Sequence, residues 1–126
     1  MKNTILKLLE YIYYFSLVIL FILYLYPGSL IGYFLYGNLG QQPNLILNPI
    51  GTSINHLIFF SYITILALII RSKVKNILTD YKIILFISFI LEILHFIIPN
   101  RAFEFYDLIA NMTGVLMIIF IKRLVK

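Results

Sequence analysis

Four long apolar stretches constrain the fold of this chain more than any other feature. They cover residues 8–26, 54–70, 81–98 and 103–121. A helix needs about 20 apolar residues to cross a hydrocarbon core about 30 Å thick, and these runs approach that length. Backbone in lipid must satisfy its hydrogen bonds internally, so such runs predict helices. The sequence therefore predicts an all-α fold, a polytopic membrane protein built as a bundle of four transmembrane helices in one domain over residues 1–126.

The composition agrees with a membrane protein and excludes several other classes. Hydrophobic residues make up 62% of the chain and charged residues 12%, about half the charge that soluble domains carry. Cysteine is absent, which excludes disulfides, thiolate metal sites and a cysteine nucleophile. The net charge of +5 comes from basic residues near the helix ends, so we expect no nucleic-acid partner.

The basic residues also predict an orientation. They fall at the amino end, in the turn between the second and third spans, and at the carboxyl end: Lys2, Lys7, Arg71, Lys73, Lys75, Lys82, Lys122, Arg123 and Lys126. The two remaining connections contain only Arg101. The positive-inside rule places both termini in the cytoplasm of a multi-pass protein and turns residues 27–53 and the Pro99 turn outward.

Residues 27–53 differ in composition from the rest of the chain. They hold five of the six glycines, three of the four prolines and no charge, a pattern that excludes a continuous helix. Apolar patches at residues 30–36 and 45–47 indicate a segment at the membrane interface. It is either a lid over a site or a tethered surface loop, and the sequence alone favours the loop.

This topology predicts that polar residues from three spans share the outer half of the membrane. They are Asn55, His56, Glu92, His95, Arg101, Glu104, Asp107 and Asn111. Glu92 and His95 are three residues apart and share one helix face. Asp107 and Asn111 continue to Gly114, where a glycine permits close helix contact. Carboxylates inside a membrane are costly, which makes Glu92 and Asp107 the strongest candidates for a functional role.

Less specific interpretations exist for the other polar residues. Arg101 can extend into the headgroups, His56 and His95 can be satisfied interfacial groups, and Asn111 can bond between helices. Arg101 can also form a bidentate pair with Asp107, and this pair is the preferred structural prediction if the family pattern described next applies. One zinc held by His56, His95 and Asp107 is an alternative, but the sequence predicts no metal and no cofactor.

The same residues resemble the signature of the VanZ-like family of small bacterial membrane proteins. That pattern reads Glu-x-x-Gln, Pro, Arg and Asp-x-x-x-Asn-x-x-Gly, and this chain matches it with Glu92, His95, Pro99, Arg101, Asp107, Asn111 and Gly114. His56 and Phe60 resemble the family's histidine and aromatic pair. The resemblance covers residues 54–121. His95 replaces the usual glutamine, and Ser53 stands where a lysine commonly precedes the histidine.

The resemblance implies a bacterial cytoplasmic membrane protein of the cell envelope, in a family named for resistance to teicoplanin by a mechanism not established. We expect an outward-facing pocket with Arg101 and Asp107 at its mouth and Glu92 and His95 at its floor. His56 and Asn111 complete the predicted binding residues. The expected partners are membrane lipids and an amphiphile, such as a lipid-linked envelope precursor or a lipoglycopeptide.

Two other functions fit the sequence. The first is an intramembrane enzyme on a lipid-linked substrate, with Glu92 or Asp107 as general base. The second is a structural membrane subunit whose polar residues only hold its helices together.

Overall fold

The computed structural model describes residues 1–44, 46 and 50–125, which form five α-helices and one 3-10 turn. The helices are α1 (Lys2–Leu25), α2 (Leu30–Tyr36), α3 (Ser53–Ile70), α4 (Tyr81–Leu94) and α5 (Phe105–Leu124), and the 3-10 turn is Ile77–Thr79. The prediction of an all-α fold is confirmed. The predictions that involve Leu45, Leu47, Asn48 and Lys126 lie outside the described residues.

Three helices in the described part of the chain are long and apolar enough to cross a membrane. They correspond to α1, α3 and α5, with apolar segments Asn3–Leu25, Ser53–Ile70 and Phe105–Leu124. Each matches one of the predicted spans, although α1 begins several residues earlier than expected. This set of helices suggests a multi-pass membrane protein.

The remaining predicted span, residues 81–98, is shorter as a helix than the sequence indicated. α4 has 14 residues, about 21 Å at 1.5 Å per residue, and ends at Leu94 rather than at Pro99. In a continuous helix the ring of Pro99 would clash with the carbonyl group of His95, four residues earlier. The chain accordingly leaves the helix through i to i−3 bonds, including His95 N to Glu92 O at 3.1 Å and Ile97 N to Leu94 O at 3.0 Å.

The helices pack around α3, which makes its most extensive contacts with α5. The closest approach is at Gly114, where an added Cβ would lie 2.6 Å from the Leu57 carbonyl oxygen. Ser61 Oγ donates to the Gly114 carbonyl oxygen at 3.3 Å. The predicted role of Gly114 in close helix contact is confirmed. α1 covers the other side of α3, burying Tyr13 and Phe60 completely.

The predicted interfacial segment contains the short helix α2 within an otherwise irregular chain. Ser29 caps the helix, because its Oγ accepts from Gly32 N at 3.0 Å. Gly37 ends it with a φ of 69°, a conformation that glycine adopts without strain. Gly32 is needed for close packing, since a Cβ there would lie 1.5 Å from the Gln41 carbonyl oxygen. The segment is therefore folded back on itself, and α2 leaves Phe34 81% exposed.

An ion pair holds the turn between α3 and α4 at the opposite end of the bundle. Arg71 Nη2 donates to Asp80 Oδ2 at 2.8 Å, and Asp80 Oδ1 accepts from Lys82 N at the start of α4. The bond from Arg71 is the largest cause that lowers the pKa of Asp80, followed by the backbone bond. A depressed carboxyl pKa contributes stability at neutral pH that is lost as the pH falls through the folded-state value.

The contact at Gly114 generates a prediction about stability. We expect Gly114→Ala to lower the free energy of unfolding by about 1–3 kcal/mol, because the added methyl group must push the α3 and α5 backbones apart. The measurement is thermal or denaturant unfolding in detergent. Gly40→Ala is the control, since a Cβ there meets only the Asn38 side chain, at 3.3 Å. Equal stability of the two variants would contradict this account of the packing.

Candidate functional site

Polar side chains from four helices converge in one place, at the end of the bundle where α1 finishes and α5 begins. We name this group the polar cluster, and its members are Tyr24, Ser53, His56, Glu92, His95, Asp107 and Asn111. Glu92 is 0% and Asp107 3% exposed. Both carboxylates face the bundle interior, as an apolar surrounding requires.

Asp107 enters the polar cluster from the first turn of α5, where the helix dipole favours a negative charge. Its Oδ1 accepts a hydrogen bond from Ser53 Oγ at 2.5 Å. Its Oδ2 lies 3.4 Å from Nε2 of His56. The two oxygens of Asp107 therefore have different partners: Oδ1 bonds to Ser53, which orients the carboxylate, and Oδ2 faces the His56 imidazole.

Glu92 has the same arrangement on α4. Its Oε1 accepts from the backbone N–H of Glu104 at 3.2 Å and lies 3.2 Å from Nδ1 of His95. Its Oε2 lies 3.9 Å from Nδ1 of His56 and 3.5 Å from the amide nitrogen of Asn111. One oxygen is again held by neighbours, while the other is directed towards His56.

Tyr24 and Asn111 connect α1, α3 and α5. The Tyr24 hydroxyl donates to Asn111 Oδ1 at 2.7 Å and lies 2.7 Å from Nδ1 of His56. A hydroxyl has one proton, and Tyr24 donates it to Asn111. In the bond with His56 the hydroxyl oxygen therefore accepts, and Nδ1 is the donor. Nδ1 also lies 3.1 Å from Asn111 Oδ1. These contacts assign the proton of a neutral His56 to Nδ1 and leave a lone pair on Nε2, facing Asp107.

His95 lies between the end of α1 and Glu92. Its Nε2 donates to the Tyr24 carbonyl oxygen at 3.2 Å, and its ring stacks on Tyr24 with centroids 5.6 Å apart. Nε2 of His95 carries one proton. The hydrogen bond between Nδ1 of His95 and Glu92 therefore requires a second proton, which lies on Nδ1 or on the Glu92 carboxyl group. His95 therefore supports Glu92 and stabilises the final turn of α1.

Arg101 occupies a different position from the one predicted. Its guanidinium donates to the carbonyl oxygens of Leu23 and Tyr26, at the end of α1. Among the described residues no carboxylate oxygen lies within 4.0 Å of it, so the predicted pair with Asp107 does not form. The free carbonyls of a helix terminus attract a cation, and Asp107 is occupied by Ser53 and His56. Burial lowers the pKa of Arg101, but a guanidinium remains charged at neutral pH.

A cavity of about 120 Å³ lies beside the polar cluster. Its polar lining includes Tyr24, His56 and Arg101, and its apolar lining includes Leu20, Leu23, Leu30, Ile31 and Phe59. Ser29, Gln42 and Pro43 show that the segment before α3 forms one wall. Asn55 Nδ2 donates to the Pro43 carbonyl oxygen at 2.7 Å and attaches that wall to α3. This placement favours the lid interpretation over that of a tethered surface loop.

The structure brings five of the six predicted binding residues together. His56, Glu92, His95, Asp107 and Asn111 belong to the polar cluster, while Arg101 bonds to the end of α1 and lines the neighbouring cavity. The expectation that Asp107 lies at the mouth is wrong, because it is buried behind His56. Among the described residues, one group of metal-ligand type has its ligand atoms within 4.8 Å of one another: His56, Glu92 and Asp107. His95, which the zinc alternative included, is absent from that group.

Sequence reasoning missed Tyr24 and Ser53. A tyrosine near the end of a membrane span is so common at interfaces that it carries little signal. Ser53 was noticed only as a replacement for lysine. The available indication was that Ser53 lies three residues before His56, since residues three apart share a helix face. This spacing places the Ser53 hydroxyl on the same side of α3 as the His56 imidazole.

Apolar helices around a buried polar cluster are the architecture of a helical membrane protein. No family model, curated protein or solved structure matches this chain.

The position of Tyr24 leads to a prediction about the polar cluster. We expect Tyr24→Phe to lower the free energy of unfolding by about 1–2 kcal/mol, because it removes a buried hydroxyl that bonds two other helices. Tyr11→Phe is the matched control, since Tyr11 is 73% exposed. Unfolding in detergent measures both variants. If they are equally stable, the Tyr24 hydroxyl does not hold the cluster together.

Proposed function

We propose that this protein is a VanZ-like membrane protein of the bacterial cell envelope that binds an anionic amphiphile in the cavity between α1, α2 and α3. The observation that carries the proposal is a guanidinium fixed in the wall of a mostly apolar cavity that His56 also lines. Within the described part of the chain, Arg101 is the one lysine or arginine at this end of the bundle, and its position suits an anionic ligand.

The proposal includes four membrane crossings with both termini in the cytoplasm. α4 crosses together with the turn after Leu94, and a local thinning of the bilayer accommodates its short length. The basic residues support this orientation, because they cluster at the termini and in the turn between α3 and α4. The cavity and the polar cluster then open towards the outer surface.

The absence of cysteine makes this topology testable by single-cysteine labelling. A membrane-impermeant maleimide should label Asn38→Cys and Ala102→Cys in intact cells. It should label Asn3→Cys, Lys73→Cys and Val125→Cys only after permeabilisation. Labelling of Ala102→Cys and Lys73→Cys from the same side would show that α4 does not cross the membrane.

The size of the cavity suits the head of an amphiphile better than its whole length. About 120 Å³ equals the liquid volume of about four water molecules. An anionic group such as a phosphate fits that space, and a guanidinium binds such groups in two-point contacts. Two of its donors are committed to Leu23 and Tyr26, and a guanidinium has five.

The apolar chain of the ligand lies outside the cavity, along the exposed side of α2. Leu30 and Ile31 line the cavity, and Ile31, Phe34 and Leu35 are at least 43% exposed. A continuous apolar path from the guanidinium in the cavity wall to lipid is what a ligand with a charged head and a hydrocarbon tail requires. Lipid-linked envelope precursors and lipoglycopeptides have this chemistry.

The VanZ-like assignment rests on the resemblance of residues 54–121. The polar cluster supports it, because residues that match the signature from α3, α4 and α5 contact one another. The link to teicoplanin resistance rests on the family name alone. The rival role as a structural subunit draws on the same hydrogen bonds, so the decisive residue is Arg101, which belongs to the cavity wall.

We expect Arg101→Ala to weaken binding of a short-chain anionic phospholipid by about 10–100-fold. A charge-assisted hydrogen bond contributes about 1.5–3 kcal/mol, and each 1.4 kcal/mol is tenfold in affinity. Titration of the purified protein with dihexanoyl phosphatidic acid measures the change, and mass spectrometry of co-purified lipids should show the same loss. Dihexanoyl phosphatidylcholine, which has no net charge, should bind weakly to both proteins.

Arg123→Ala is the control, because it removes an exposed arginine from the other end of α5. It should bind the anionic lipid as the unmodified protein does. Unchanged affinity in a folded Arg101→Ala variant would refute the amphiphile proposal. If Arg101→Ala does not fold, unchanged affinity in a folded Arg101→Gln variant, which keeps hydrogen-bond donors for α1 but removes the charge, would favour the structural role.

A further inference from the structure

The two buried carboxylates of the polar cluster each direct one oxygen towards His56. Ser53 holds Oδ1 of Asp107, and His95 with the Glu104 backbone holds Oε1 of Glu92. The remaining oxygens lie 3.4 Å from Nε2 and 3.9 Å from Nδ1 of the imidazole. This is the arrangement of ligands oriented by an outer shell of hydrogen bonds.

The hydrogen bonds of the imidazole indicate which charge these groups require between them. Tyr24 and Asn111 fix the proton of a neutral His56 on Nδ1, so the lone pair of Nε2 faces an oxygen of Asp107. Two lone pairs 3.4 Å apart in an apolar interior repel each other. A positively charged species, either a proton or a metal cation, must lie between them.

We propose that His56, Glu92 and Asp107 bind a divalent transition-metal cation of the Zn²⁺ class, with Nε2 of His56 and one oxygen of each carboxylate as ligands. One ligand-type atom from each of the three residues lies within 4.8 Å of the other two, and Oε2 of Glu92 lies 3.9 Å from Nδ1 of the ring. Bonds of about 2.0–2.2 Å hold the ligand atoms of a tetrahedral site about 3.5 Å apart. Side-chain movements of about 1 Å therefore bring the three ligand atoms to bonding distance of one cation. Three protein ligands leave one position open, as in catalytic zinc sites.

The chemistry of the ligands selects the class of metal. An imidazole nitrogen with two carboxylates favours Zn²⁺, Mn²⁺ or Fe²⁺ over Mg²⁺ and Ca²⁺, which prefer oxygen alone. Two positive charges also offset the carboxylates inside a membrane, where an unpaired charge is costly. His56 lines the cavity, which provides a route for the cation from outside the bundle. The site is independent of the amphiphile proposal, because Arg101 is not a ligand.

Equilibrium dialysis of tag-free, chelator-treated protein against ZnCl₂ in detergent tests the proposal. We expect one Zn²⁺ per chain. Glu92→Gln, Asp107→Asn and His56→Ala should each weaken binding by at least about 100-fold, and Ser53→Ala by about 10–100-fold, the usual effect of an outer-shell partner. Glu10→Gln, a carboxyl change at the other end of α1, should have no effect. Arg101→Ala should also retain Zn²⁺, which separates failure of this proposal from failure of the amphiphile proposal.

Spectroscopy of the unmodified protein tests the proposal even if some of the variants do not fold. Co²⁺ should give visible absorption bands of low-coordinate nitrogen and oxygen ligation, displaced by Zn²⁺, and X-ray absorption should show one imidazole. Binding that is equal in the unmodified protein and the ligand variants overturns the proposal, as does Zn²⁺ without imidazole in its shell. Absence of bound Zn²⁺ in the unmodified protein also overturns it and assigns a proton to the position between His56 and Asp107.

Discussion

The burial of two carboxylates inside an apolar bundle is the constraint on which the rest of this structure depends. Glu92 and Asp107 come from different helices and are almost completely withdrawn from solvent. In such surroundings a charged group must be paired and hydrogen-bonded. Their partners are supplied by α3, by His95 directly after α4, by Asn111 of α5 and by the backbone before α5. Satisfying these two groups therefore fixes how three helices meet.

The close approach of α3 and α5 makes that arrangement possible. At Gly114 the two backbones are nearly in contact, and this contact lies two helical turns from Asp107 on the same face of α5. A larger residue at the crossing would move Asp107 away from Ser53 and His56. Packing at the glycine and pairing at the polar cluster are therefore one structural feature, since both depend on the distance between the same two helices.

The end of α1 links the polar cluster to the cavity. Its last turn offers carbonyl oxygens to Arg101 and His95, and its Tyr24 hydroxyl reaches into the cluster. Free carbonyls at a helix end need donors, and here two residues from the turn after α4 provide them. As a result, the cation that faces the cavity and the imidazole that supports Glu92 are both attached to α1.

Long apolar runs were enough to predict the helices and the approximate bounds of α1, α3 and α5, because these are local properties of the chain. The positions of the basic residues added a topology, and from it the prediction that His56, Glu92, Asp107 and Asn111 lie at one depth. The tertiary structure alone decided that Arg101 binds α1 rather than Asp107 and that Tyr24 and Ser53 join the cluster. Each depends on which donor reaches which acceptor across the bundle, a choice made by distances between segments far apart in the chain.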